Sequence, residues 1–252
     1  FEPYHLILFS AYSLIGDRAF TLLPLFFAFA SVFVFFLLLK RFGVTEDSQL
    51  WILLAYVLSP PLITSAFIGT QSAFLLLILL SGAYFLLGTW WPVGALLFII
   101  AGLSGIGSLI TAIAVLLFIA FMRKDIQRVT IVLAFLAVIF IIGIYPPAVP
   151  LERSVTDYVS DFGGVNGLSL FAILLALVGA LLLYEHKKNY YGVFALISLF
   201  VLASIFVPEL LLCANIVISS LAGTALARLS RRKWKLQFIR LSSLLVLFCG
   251  LL

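Results

Sequence analysis

Apolar residues fill this chain in long stretches, and charged or turn-forming residues are confined to the short gaps between them. Stretches of this kind close to 20 residues long predict membrane-spanning helices, because only helices satisfy their own backbone inside hydrocarbon. Predicted spans cover residues 18–39, 50–66, 72–88, 130–144, 168–183, 191–207, 210–227 and 236–252. Residues 90–122 also lack any charge, and that stretch is too long for one ordinary crossing.

Charge divides the ambiguous stretch. Thirteen of the fifteen basic residues fall in four clusters: Lys40 and Arg41; Arg123, Lys124 and Arg128; Lys187 and Lys188; and the run from Arg228 to Arg240. Basic loops collect on the cytoplasmic side of membrane proteins. Clusters one and two must then be separated by an even number of crossings. Spans 50–66 and 72–88 supply two, so residues 90–122 must add either two short crossings or one re-entrant pair. The break is expected in Gly102-Leu103-Ser104-Gly105-Ile106-Gly107, where glycines weaken a helix.

Composition agrees with this pattern. The chain is 65% hydrophobic and 10% charged, with mean hydropathy +1.29, whereas soluble domains are about 25% charged. A water-facing surface cannot be built from such a chain. The net charge of +5 is a topology signal here, and nucleic acid is not an expected partner. Anionic lipid is a second reading of the Arg228 to Arg240 run. The expected fold is all-α, a polytopic transmembrane bundle of about 9–10 segments in a single domain spanning residues 1–252. It is expected in the cell membrane, with the basic loops cytoplasmic and loop 145–167 extracytoplasmic. The chain opens at Phe1 and stops inside an apolar run at Leu252, so it reads as a piece of a longer protein.

No phosphate loop, dinucleotide fingerprint, metal-ligand spacing or nucleophile elbow is present in the sequence. Cys213 and Cys249 lie in apolar stretches and read as packing residues. His186 sits in a charged turn and reads as a solvated loop residue. Polar chemistry is therefore sought on the outer face. Residues 1–12 read as a short interfacial helix, and Gly16-Asp17-Arg18 leads into the first span. Asp17 suits a helix N-terminus, which is also its purely structural reading. Loop 145–167 carries Glu152, Arg153, Asp157 and Asp161, whose plainer reading is solvated loop charge.

The order of these features resembles the GT-C glycosyltransferases. The resemblance rests on Glu2-Pro3-Tyr4-His5-Leu6, Gly16-Asp17-Arg18, Lys40-Arg41-Phe42-Gly43, Leu58-Ser59-Pro60-Pro61, the glycine break from Ala101 to Gly107, and Asp161-Phe162-Gly163-Gly164. It covers most of the chain through pattern and spacing. It implies a membrane transferase that moves a sugar from a polyprenyl-phosphate carrier to an acceptor on the outer face, in contact with membrane lipids. It also implies that a first span and first outer loop, with the principal catalytic acid, precede Phe1, so that this stretch alone is expected to be inactive. Gln71 stands where such proteins often carry an acid, and Thr111 where a basic residue is common.

Within this reading Asp157, Asp161, Asp17 and Glu2 are the candidate catalytic acids. Arg18, Arg153, His5, Gln71 and Glu209 are candidates for holding substrate or lipid phosphate, and Glu209 is a further acid on the same face. A divalent cation, Mg or Mn, is the cofactor that oxygen ligands of this kind would take. A transporter or lipid-handling protein without transferase activity is the alternative.

Overall fold

The computed structural model describes residues 3–67, 71–123, 126–142, 158–160, 167–184, 197–198, 200–204 and 207–231. Among these residues the regular elements are helices, joined by one isolated bridge between Val159 and Leu168. The all-α expectation holds. The elements are α1 (Pro3–Ile15), α2 (Ala19–Arg41), α3 (Glu46–Val57), α4 (Pro60–Phe67), α5 (Gln71–Leu86), α6 (Trp91–Leu103), α7 (Ile106–Arg123), α8 (Ile126–Ile142), α9 (Leu170–Tyr184) and α10 (Pro208–Arg231). The predicted span 236–252, residues 191–196, 199, 205 and 206 of the predicted span 191–207, and Lys187 and Lys188 lie outside the described residues.

Two helical stretches, Pro3–Arg41 and Glu209–Arg231, are long and apolar enough to cross a membrane, and the bent pair α3–α4 makes a third. The first stretch is not straight. A straight helix would set Tyr4 and Phe27 about 34 Å apart, yet their ring centroids are 6.5 Å apart. The chain reverses through the turn Gly16–Arg18, where Gly16 has φ +65°. Helix α1 is thereby laid back along α2, and Tyr4 packs on Phe27 and Phe74.

The stretch 90–122 is broken within the expected glycine-rich segment. Helix α6 ends at Leu103 and α7 begins at Ile106. Between them Gly105 has φ +149°, a conformation nearly restricted to glycine. The predicted span 50–66 is also divided, since α3 and α4 meet at 54°. Pro60 and Pro61 explain the bend, because neither offers an N–H to the preceding turn.

Helices close on one another at glycines. A Cβ on Gly94 would overlap the α5 backbone at Leu86, one on Gly223 the backbone of Ile52, and one on Gly179 the carbonyl of Leu221. Small residues are what allow helix backbones to approach this closely. The interior is filled by Tyr56, Phe98, Leu116 and Leu136, while Phe26, Phe29 and Phe33 on α2 and Phe135 and Phe140 on α8 face outward. An apolar outer surface on this scale is suited to lipid and not to water.

Contacts fix which helix ends lie together. The Arg41 guanidinium donates to the carbonyls of Tyr84 at 2.8 Å and Leu87 at 2.7 Å. Arg128 reaches the carbonyl of Gly88 at 3.2 Å, and Arg231 pairs with Asp47 at 3.1 Å. The ends of α2, α5 and α10 and the starts of α3 and α8 therefore share one end of the bundle. The starts of α2, α5, α7 and α10 share the other.

Candidate functional site

The second end of the bundle holds the described acids and cations that the sequence singles out for chemistry. Asp17 and Arg18 form the exposed turn before α2, Gln71 opens α5 and Glu209 lies in the first turn of α10. An acid in the first turn of a helix faces unsatisfied N–H groups and the positive end of the helix dipole. His5 is exposed on α1, with its ring edge-on to Tyr4 at 5.6 Å.

Glu209 is the most distinctive of these groups. Its Oε2 is buried and has no hydrogen-bond partner among the described residues, and its carboxyl group packs against the Cα of Gly107, in the first turn of α7 just after the break. A Cβ at residue 107 would occupy the space that the carboxylate now fills. Two helix starts, those of α7 and α10, therefore meet at one carboxylate. A buried oxygen without a donor is costly in the absence of a ligand, water or ion to satisfy it.

Thr111 lies one turn deeper, fully buried, and donates to the carbonyl of Gly107 at 2.8 Å. Its hydroxyl is thus committed to the backbone of α7. Behind this end lies a buried polar string: Asn215 donates to Ser59 Oγ at 2.7 Å, and Ser59 Oγ donates to the carbonyl of Tyr56 at 2.6 Å. Gly107, Ser59 and Asn215 were not among the candidate residues read from sequence. Only Asn215, a carboxamide inside an apolar span, carried a signal of its own.

Of loop 145–167 the structure describes residues 158–160 and Gly167. The Tyr158 hydroxyl meets Ser204 Oγ at 2.7 Å, and the Leu168 N–H donates to the Tyr158 carbonyl at 2.8 Å. Burial pushes the Tyr158 hydroxyl above the usual phenol range, and its bond to Ser204 partly offsets that. Gly167 is required there, because a Cβ would overlap the backbone of Ser160.

Glu2, Arg153, Asp157 and Asp161 lie outside the described residues. Among the described residues no hydrogen bond or ion pair joins Asp17, Arg18, Gln71 and Glu209 to one another. What brings them together is the shared end of the bundle. No three of His, Cys, Asp or Glu cluster among the described residues. The chain matches no protein-family profile, no curated protein and no solved structure.

Proposed function

We propose that this is a multi-pass protein of the cell membrane, of the GT-C type, that transfers a sugar from a polyprenyl-phosphate carrier to an acceptor on the outer face. The observation that carries the reading is the Glu209 carboxylate, set against Gly107 at the α6–α7 break with one oxygen buried and without a partner among the described residues. The order of sequence features shared with that superfamily supports it as well.

The chemistry follows from where the substrates must be. A polyprenyl phosphate keeps its chain in the bilayer and its phosphate at the boundary, so the reacting carbon is held at the end of the bundle. The acceptor oxygen attacks the anomeric carbon, the bond from that carbon to the phosphate oxygen breaks, and the lipid phosphate departs with the bonding pair. Glu209 takes the proton of the acceptor hydroxyl. Arg18, exposed at the same end, meets the charge that grows on the phosphate.

The test uses the full protein in liposomes with a radiolabelled polyprenyl-phosphate hexose. Transfer of label is expected, with Glu209→Gln losing roughly 100-fold or more and Arg18→Ala weakening both donor binding and rate. An active wild type with an equally active Glu209→Gln would remove Glu209 from the reaction. The α6–α7 break also favours the second reading, since transporters place broken helices at their binding sites. Movement of the labelled lipid across the bilayer without transfer of its sugar would establish that reading instead.

A further inference from the structure

The bend between α3 and α4 poses a backbone problem that a side chain on another helix resolves. Pro60 has no N–H, so the carbonyl four residues earlier, that of Tyr56, loses its helical donor. Inside an apolar bundle a bare carbonyl is expensive. Ser59 replaces the missing donor, its Oγ donating to the Tyr56 carbonyl at 2.6 Å and its backbone N–H at 3.2 Å. The Ser59 carbonyl in turn starts α4 by accepting from the N–H groups of Leu62 and Ile63, both at 3.2 Å.

The Ser59 hydroxyl has spent its proton on Tyr56 and is left with acceptor capacity. Asn215 uses it, through Nδ2 at 2.7 Å. The far side of the carboxamide is held as well, since Ser219, one turn along α10, donates to Asn215 Oδ1 at 3.5 Å. Asn215, Ser59 and Ser219 are all buried, so water is not a ready substitute. The direction of the relay is determined: amide to hydroxyl to proline-freed carbonyl.

We propose that Asn215 is a positioning residue, whose bond to Ser59 sets the angle of the α3–α4 bend and so places α4 and the end of the bundle that carries Gln71 and Glu209. Asn215 stands on the same helix as Glu209, six residues on, and α4 runs from Ser59 toward Gln71. One hydrogen bond therefore ties the helix that carries Glu209 to the start of α4, the element that precedes Gln71. The inference holds whatever substrate that end binds.

The test measures the bend directly. Nitroxide labels are placed at Glu46→Cys and Phe67→Cys, both exposed positions, in full-length protein in lipid nanodiscs. The background carries Cys249→Ser, and Cys213 is buried from the reagent. Pulsed dipolar spectroscopy is expected to give one narrow distance in the parent. Asn215→Leu and Ser59→Ala are expected to broaden it and to lengthen it by up to about 3 Å, the gain if the 54° bend opened fully. Ser59→Thr keeps the hydroxyl while adding bulk, and is expected to retain the parent distance. Unchanged distances in both Asn215→Leu and Ser59→Ala would overturn the proposal. So would a shift in Ser59→Thr as large as that in Ser59→Ala, because packing and not the relay would then set the angle.

Discussion

Gly107 and Glu209 are 102 positions apart, and each explains the other. The glycine leaves a space and the carboxyl group fills it. A methyl at residue 107 has to move the carboxylate, whose flexible stem lets it swing away. Gly107→Ala is therefore expected to cost about 1–3 kcal/mol, the range for overpacking, and to displace Glu209 in doing so. In a Glu209→Ala background the three atoms that the methyl would meet first are gone, and its cost should fall. Equilibrium unfolding of the four proteins in detergent gives the coupling. Strictly additive costs would mean that the two groups do not touch. Of this pair the sequence marks Gly107 as part of a break and Glu209 as an acid on the outer face. The contact itself depends on how α10 packs against α7, which no local pattern encodes.

At the scale of elements, the arginines that read as topology signals have a second use. Helix α5 has 16 residues, a length of about 24 Å, and is short for a hydrocarbon layer of about 30 Å. The carbonyls of its last turn would otherwise face the membrane boundary without donors. Arg41 takes those of Tyr84 and Leu87, with its guanidinium 5.2 Å from the Tyr84 ring centre, and Arg128 reaches those of Leu86 and Gly88. Hydrogen bonds from charged groups contribute about 1.5–3 kcal/mol. Arg41→Ala is expected to speed amide exchange at residues 86–88 by roughly 10- to 150-fold, with little change at the start of α5. Arg41→Lys should recover only part of the protection, because an ammonium lacks the fork that spans two carbonyls. Uniform exchange along α5 in the alanine variant would show that the cap is not what holds this end. Most helices were legible because apolar runs and glycine or proline interruptions are local. The α6–α7 break followed from parity and glycine together. The depth of the α3–α4 bend was not legible, since Pro60-Pro61 permits a bend whose angle is set by Asn215 on a distant helix. The reversal of α1 onto α2 was hidden for a similar reason: Gly16 allows it, but the packing of Tyr4 on Phe27 and Phe74 drives it.

For the whole molecule, the placement of charge and the placement of helix ends agree. Among the described residues Arg41, Arg128 and Arg231 meet partners at one end of the bundle, while Asp17, Arg18 and Glu209 stand at the other. Glu46 and Asp47 open α3 at the basic end, and Asp47 is paired with Arg231. If the basic end faces the cytoplasm, as basic loops usually do, then α2 carries the chain inward and α3–α4 carries it back out. Cysteine accessibility in intact cells tests this element by element, again with Cys249→Ser and with Cys213 buried. Asp17→Cys is expected to react with a membrane-impermeant thiol reagent in intact cells. Thr45→Cys and Trp90→Cys, at exposed positions beside α3 and α6, should react only after permeabilisation. Labelling of Asp17→Cys and Thr45→Cys from the same side would mean that α2 does not cross, and the parity of every later helix would fail with it. Leu103→Cys, partly exposed at the end of α6, decides the remaining ambiguity. Helix α6 has 13 residues, about 20 Å, so it reaches the far boundary only if the bilayer thins around it or the helix stands upright. Reaction of Leu103→Cys in intact cells makes α6 and α7 two short crossings. Protection from the reagent on both sides, with Trp90→Cys still cytoplasmic, makes them a re-entrant pair whose tip, with Gly107 and Glu209, lies below the outer surface.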